Sequence, residues 1–428
     1  MEKYCVTPIK NKKNLCVSVP GSKSITNRAL MLAAISNETC ELHGVLFSAD
    51  SRAFLDCLMT LGFQVSVDEE KATVIVKGEN GKIPEDNVTI NVESAGTAAR
   101  FITVLLAVSG GTYTINSSEQ MKKRPMKELL DKIKEQGVEL EFLEETDHFP
   151  FRMKSKGIGM IETEIDTTTS SQYASALLMA APMNGMKIHL TGSRVNGAYI
   201  KITLAMMKQF GIGYKKKENT YEVASQQFGI LQYEIEPDMS AACYFYAMAL
   251  ILKTKSIVKG IHMDSLQGDK KFLDVLKELG ASVSETSLGV EVDATGLDSY
   301  SGITLDMSDF SDQALTLAVV AAFASSKTVI KNIGHIRKQE SDRVAVIATE
   351  LKKIGCDTKI VEEQGQTHVE IVPGSLHGAE IETYEDHRVA MSFAMAGTKV
   401  EGITILNPLC CKKTFENYFE ILERLTKE

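Results

Sequence analysis

Amphipathic helical stretches end in glycine at five places, Gly62, Gly137, Gly211, Gly280 and Gly355, spaced about seventy residues apart. Glycine takes positive φ just past a helix end without steric cost. Each glycine is followed by an alternating stretch with turn residues in its middle, such as FQVSVDEEKATVIVKG after Gly62 and VELEFLEETDHFPFRMKSKG after Gly137. Period-two alternation around a turn predicts a β-hairpin. A second marker keeps step with the first. Polar or hydroxyl residues open alanine-rich apolar helices near Ser22, Ser94, Ser170, Asp238, Ser311 and Asp386: SKSITNRALMLAA, SAGTAARFITVLLA, SSQYASALLMAA, DMSAACYFYAMALIL, SDQALTLAVVAAFA and DHRVAMSFAMAG. Two markers in step set the chain apart from an ordinary α/β protein with helices of similar length.

Each unit therefore reads as buried helix, strand, polar loop, amphipathic helix, glycine, hairpin. There are six buried helices but five glycine-closed hairpins. The sixth amphipathic helix, Thr414 to about Leu425, ends the chain, and the N-terminal strands Tyr4–Ile9 and Leu15–Val19 are expected to supply the missing hairpin. The chain would then close on itself as an α/β protein of two domains with three repeats each. The predicted boundary falls near Glu236–Ser240, with Pro237 marking the break. That gives an N-terminal domain over 21–237 and a C-terminal domain of 1–20 plus 238–428.

The net charge of -9 argues against a general nucleic-acid binder, which needs a basic face. It leaves room for a local cationic cleft and a small anionic substrate. The eight cysteines show no CxxC or Cys/His spacing, so neither a zinc site nor a disulfide framework is expected. No apolar run of about 18 residues exists to suggest a membrane span. A soluble, cytoplasmic protein with reduced thiols is the expectation.

Reactive residue types gather at helix starts. The buried helices offer Lys23, Ser24, Arg28, Thr97, Arg100, Ser170, Ser171, Gln172, Asp312, His387 and Arg388. The amphipathic helices are expected to open with Arg124, Tyr199, Glu340 and Arg343, and Lys413. Hydroxyls and Asp are ordinary N-caps. Cations in a first turn oppose the helix macrodipole, so several of them imply an anion between them. One helix end contributes roughly 0.3–1 kcal/mol towards an anion. A charged hydrogen bond contributes about 1.5–3 kcal/mol. Several helix ends with five or six Lys and Arg side chains could hold two multiply charged ligands. Asp312 and Glu340 stand out among these cations, either as base and acid or as salt-bridge partners of Arg343 or Lys338. Lys23-Ser24 imitates the end of a P-loop, but the glycine required before the lysine is missing, since Ser22 stands there.

The motifs PGSKSITNRAL, SAGTAARF, KKRPMKELL, TSSQYASALLMAAP, ESDRVAV and EDHRVAMSFA together resemble the 5-enolpyruvylshikimate-3-phosphate synthase family, the 3-phosphoshikimate 1-carboxyvinyltransferases, over essentially the full length. The resemblance implies the two-domain enolpyruvyl transferase fold, with six βαβαββ repeats and helix N-termini facing an interdomain cleft that closes on the substrates. It implies transfer of the enolpyruvyl group of phosphoenolpyruvate to the 5-hydroxyl of shikimate 3-phosphate, with release of phosphate. The route is addition then elimination through a tetrahedral intermediate, in chorismate and aromatic amino acid biosynthesis. No metal or organic cofactor, nucleic acid or membrane is implied, and a monomer is expected.

By the match, Lys23, Ser24, Arg28, Ser170, Ser171, Gln172 and Tyr199 surround shikimate 3-phosphate, and Lys23, Gly96, Arg124, Arg343, Arg388 and Lys413 hold phosphoenolpyruvate. Asp312 resembles the base that takes the hydroxyl proton, Glu340 the acid that protonates the methylene carbon, and Lys23 touches both substrates. A side chain at Gly96 would crowd a ligand lying against the backbone. Glu340 must carry a proton to act as an acid, so substrate binding and closure are expected to raise its pKa.

The chain also departs from the family pattern. Glu93-Ser94 stands where the family commonly has Gly-Asn. Gln339 replaces the usual lysine before the glutamate, His335 a usual Asn, and Asn196 a usual Ser, with Gly197-Ala198 in place of Lys-Pro. The sister enzyme acting on UDP-N-acetylglucosamine is the nearest alternative, but it normally uses a cysteine where this chain has none, between Cys57 and Cys243. A catalytically silent anion-binding homologue is the alternative from another class.

Overall fold

Past each of the five glycine-ended helices the backbone turns through positive φ, at Gly62, Gly137, Gly211, Gly280 and Gly355. An antiparallel hairpin follows each time. The computed structural model describes residues 2–10, 14–159 and 161–427. It divides into two compact units, one of Gly21–Glu236 and one of Met1–Pro20 with Pro237–Glu428. Pro237 groups with the second unit, where its carbonyl accepts a hydrogen bond from Gln267 Nε2 at 2.8 Å.

The unit Gly21–Glu236 holds three four-stranded sheets. In spatial order they run Gln232–Glu234, Thr39–His43, Thr73–Lys77, Val65–Asp68; then Asn87–Asn91, Gly111–Asn116, Phe151–Ser155, Glu139–Phe142; then Ile161–Asp166, Met186–Thr191, Thr220–Val223, Lys215–Lys217. The first two strands of each sheet are parallel and the others antiparallel. The helices Lys23–Ile35, Gly96–Ser109 and Ser171–Asn184 are buried on almost every side and pack against one another. That burial is why they lack a polar stripe, as fully enclosed helices do.

In the other unit the helices Met239–Leu252, Ala314–Ala321 and His387–Gly397 form the equivalent core. Its sheets run Leu15–Val17, Lys255–Lys259, Gly289–Asp293, Ser282–Thr286; then Thr304–Asp306, Thr328–Lys331, Gln366–Val372, Asp357–Glu363; and a three-stranded Glu380–Ile381, Thr404–Leu406, Lys3–Cys5. Among the described residues no helix is long and apolar enough to cross a membrane.

The N-terminal strands do not form the expected hairpin. Lys3–Cys5 pairs antiparallel with Thr404–Leu406, whereas Leu15–Val17 lies parallel to Lys255–Lys259 in a different sheet. Leu15 and Val17 point into the core and Cys16 is exposed, so the register is set by burial of one face. The strand Gln232–Glu234, which carried no clear sequence signal, does the mirror job beside Thr39–His43. Each chain crossing therefore falls between a strand and the buried helix that follows it. The strand stays in the unit the chain is leaving, and each unit's open parallel position is filled by the other crossing.

Three helix starts also differ from expectation. Arg124 lies in the link between Glu119–Lys122 and Lys127–Glu135, because the residue before Pro125 is disfavoured in the α region. Glu340 lies between a 3₁₀ turn, Gly334–Lys338, and the helix Arg343–Lys353. Lys413 ends a 3₁₀ turn, Pro408–Lys413, and the last helix starts at Tyr418, after the chain has bent to bury Phe415.

Candidate active site

In the unit Gly21–Glu236, Arg28 is the centre of the polar network. It is 1% exposed and makes four hydrogen bonds, all to neutral oxygens: Nε to Thr203 Oγ1 (2.8 Å), NH1 to the Ser24 carbonyl (2.8 Å), and NH2 to Ser175 Oγ (3.2 Å) and the Tyr199 carbonyl (3.3 Å). Burial lowers its pKa to about 10. A buried guanidinium solvated only by dipoles leaves positive potential for a nearby anion. Its plane also lies over the rings of Phe101 and Tyr199, 5.4 and 5.8 Å from their centroids. Arg28 thus joins the helix starting at Lys23 to the one starting at Ser171 and to Ala198–Gln209, which carries Tyr199.

Lys23 is the first residue of its helix, and its Nζ lies 3.4 Å from Asp50 Oδ2, a buried carboxylate in the first turn of Ala49–Thr60. Asn27 donates to Thr97 Oγ1 and so ties the first two buried helices together. Ser170 caps the third, accepting from the Gln172 amide at 3.2 Å, with Ser171 as the first helical residue. Asn196 lies in the turn ahead of Ala198–Gln209.

Gly96 opens the second helix. A Cβ there would lie 2.5 Å from Arg124 NH1 and 3.0 Å from Arg100 NH1. What requires glycine is thus the Arg124 guanidinium packed on the backbone. Arg100 is itself held by the Gly96 carbonyl (3.1 Å) and the Pro125 carbonyl (2.8 Å), and Tyr173 also donates to Pro125 (2.7 Å). These bonds place the Arg124–Pro125 link over the start of the helix.

In the other unit Arg343 is the hub. It is the first residue of its helix, 1% exposed, and all its donors are engaged. Nε and NH2 grip Asp386 in a fork at 2.8 and 3.2 Å. NH1 reaches Asp312 Oδ1 at 3.1 Å and also Gln339 Oε1, while NH2 reaches Glu340 Oε2 at 2.9 Å. Those carboxylates hold the Arg343 pKa above the ordinary arginine value against the opposing effect of burial. The other oxygens of Asp312 and Glu340 turn to two more cations: Asp312 Oδ2 is 3.0 Å from Arg388 NH2, and Glu340 Oε1 is 4.0 Å from Lys413 Nζ. Both carboxylates are thus ion-paired in the free protein, to Arg343 rather than to Lys338. His335 Nε2 meets Ser311 Oγ at 2.7 Å, next to Asp312.

Sequence reasoning missed three members of this cluster. Asp386 passed for a helix cap, and it is one, accepting from the Arg388 amide at 2.9 Å, but its main partner is Arg343. Ser240 accepts from Arg388 NH2 at 3.3 Å and donates to Asp269. Asp269, in the turn Gly268–Lys270, is buried, and burial followed by the nearby Asp312 charge pushes its pKa up to about 7. On the other unit Asp50, Thr203 and Ser175 were likewise missed. A polar residue inside an apolar helix, such as Ser175, was the available signal.

The family model for EPSP synthase (3-phosphoshikimate 1-carboxyvinyltransferase) matches residues 9–422. The chain belongs to the EPSP synthase family. It is 38% identical to the 3-phosphoshikimate 1-carboxyvinyltransferase of Histophilus somni with all of both chains covered, and 37% identical to that of Nostoc punctiforme over 94% of each. The EPSP synthase structure from Acinetobacter baumannii shares the fold at a TM-score of 0.82 and 22% identity, covering 99% of this chain and 98% of that one.

Against the EPSP synthase pattern, two departures have a structural account. Glu93 takes φ 49°, the left-handed conformation glycine adopts freely, and Asn91 braces it by accepting from its amide (3.0 Å) and donating to its carboxylate (2.6 Å). Ser94 meets Ser118 across the turn, Oγ to Oγ, at 2.6 Å. Gln339 offers Arg343 a neutral oxygen where a lysine would set a second cation against it.

Proposed function

We propose that this protein transfers the enolpyruvyl group of phosphoenolpyruvate to the 5-hydroxyl of shikimate 3-phosphate and releases phosphate, a step on the route to chorismate and the aromatic amino acids. The observation that carries the reading is the Arg343 hub, which brings Asp312 and Glu340 onto one guanidinium with Arg388 and Lys413 beside them. The family's curated relatives bear the name of this reaction.

On this reading Asp312 accepts the proton of the 5-hydroxyl as its oxygen bonds to C2 of phosphoenolpyruvate, and Glu340 gives a proton to C3. Arg124, Arg343, Arg388 and Lys413 neutralise the phosphate and carboxylate as C2 becomes tetrahedral. In the second half a proton leaves the new methyl group for Glu340, the C2–O bond to phosphate breaks as Asp312 returns its proton to the departing phosphate, and the enol ether forms. Lys23 faces both substrates, and the amide ends at Gly96 and Ser171 accept anions as helix starts do. Ser24, Ser170, Gln172 and Tyr199 hydrogen-bond shikimate 3-phosphate, Arg28 holds Ser24 and Tyr199 in place and adds its charge, and Asn196, His335 and Gln339 complete the surroundings. The reaction as written uses no metal or organic cofactor, and a cytoplasmic monomer completes the proposal.

The test is phosphate release from phosphoenolpyruvate with shikimate 3-phosphate or with UDP-N-acetylglucosamine as acceptor. Release with the former alone supports the reading. Release with the latter, or with neither, overturns it.

A further inference from the structure

The segment that brings Asp386 to Arg343 holds two consecutive non-glycine residues in the left-handed region, Tyr384 at φ 54° and Glu385 at φ 55°. Side chains there crowd the backbone, and single residues visit the region far more readily than pairs. Such a conformation persists only where surrounding contacts over-determine it. The contacts come from Glu350, on the helix Arg343–Lys353 and two turns beyond Arg343. Its side chain is 0% exposed, and its oxygens accept from the Glu382 amide at 3.2 Å and the Tyr384 hydroxyl at 2.7 Å. Lys353 Nζ, 2.8 Å away, balances its charge.

One helix therefore holds this segment at two points. Its first residue pairs with Asp386 and its Glu350 anchors Glu382 and Tyr384, so both left-handed residues lie between Glu382 and Asp386. Asp386 is also the cap of His387–Gly397, whose second residue is Arg388. A relaxed turn would move the Asp386 carboxylate off Arg343 and change the aim of Arg388 together.

We propose that Glu350 and Tyr384 are positioning residues for the Arg343–Asp386–Arg388 cluster, acting by holding the Tyr384–Glu385 turn in its left-handed conformation. Neither touches a reacting atom. The inference rests on the function proposed above only for its kinetic readout. The device itself is a property of the free protein.

The experiment uses the full chain with Glu350→Gln, Tyr384→Phe, and Tyr384→Phe combined with Glu385→Gly. Hydrogen exchange of the amides from 382 to 388 is followed without substrate, and kcat and KM are measured with both substrates. Tyr384→Phe is expected to speed exchange in this segment and to lower kcat by up to about tenfold, the effect of one lost, partly buried hydrogen bond, with KM changed much less. Adding Glu385→Gly, which removes the strain at one of the two left-handed residues, is expected to restore part of both readouts. Unchanged exchange in Tyr384→Phe and Glu350→Gln, or failure of glycine to restore any of it, overturns the proposal. A wild-type protein that releases no phosphate would count against the function alone, because the exchange readout still decides the device.

Discussion

Arg343 Nε lies 2.8 Å from Asp386 Oδ2, and neither side chain reaches solvent. The second arm of the fork closes at 3.2 Å on Asp386 Oδ1, which leaves the rest of the guanidinium for Asp312, Gln339 and Glu340. Asp386 thereby fixes the plane in which Arg343 meets both candidate proton-transfer groups. Lysine has a point charge and no fork, so Arg343→Lys keeps the cation and loses the geometry. We expect it to cost about 1.5–3 kcal/mol, the scale of a lost charged hydrogen bond. Urea unfolding measures this, and a loss under 1 kcal/mol would contradict the hub.

Asp312→Asn and Glu340→Gln keep size and shape while removing the exchangeable carboxylate. If these groups move protons, each substitution should lower kcat by about 10²–10⁴-fold. KM for phosphoenolpyruvate should change far less, because the cations that hold it remain. A steady-state comparison with shikimate 3-phosphate present decides the matter. A large KM rise at unchanged kcat would assign the carboxylates to ligand placement alone.

Much of the fold was legible because its signals are local. The glycines past helix ends answer to backbone conformation, and the hairpins to alternation over a few residues. The two strands at the chain crossings were misread or missed because Leu15–Val17 and Gln232–Glu234 are three residues each and find their partners far along the chain. In the candidate site the cations at helix starts were visible, since they violate the macrodipole rule. Their partners were not. Asp386 looks like any N-cap, and nothing near Asp269 in the chain announces that Ser240 and Arg388 lie beside it. Long-range ion pairs leave no periodicity to read.

Gly96 supplies a test of how Arg124 is placed. A methyl group there would lie 2.5 Å from Arg124 NH1, the far end of a flexible side chain. Gly96→Ala should therefore fold normally but push the guanidinium aside. Losing one charged contact to an anionic ligand weakens binding by roughly tenfold. We expect KM for phosphoenolpyruvate to rise by that factor, with thermal stability essentially unchanged. Loss of stability without a KM change would mean that the backbone, not Arg124, gives way.

Asp269 makes stability depend on pH in a defined direction. Burial first, and the Asp312 charge second, raise its folded-state pKa from the ordinary 3.8 to about 7. Between those values the folded protein keeps a proton that the unfolded chain has released. The Asp269 contribution to stability is therefore full below pH 3.8, falls as pH rises towards 7, and is flat above that. Asn resembles the protonated form and does not titrate, so Asp269→Asn should remove this part of the profile. The stability difference between variant and wild type should grow in favour of the variant by on the order of a few kcal/mol across the window. Urea unfolding of both proteins at a series of pH values measures it. A difference constant with pH, or one that grows towards acid, would show that the folded protein does not raise the Asp269 pKa.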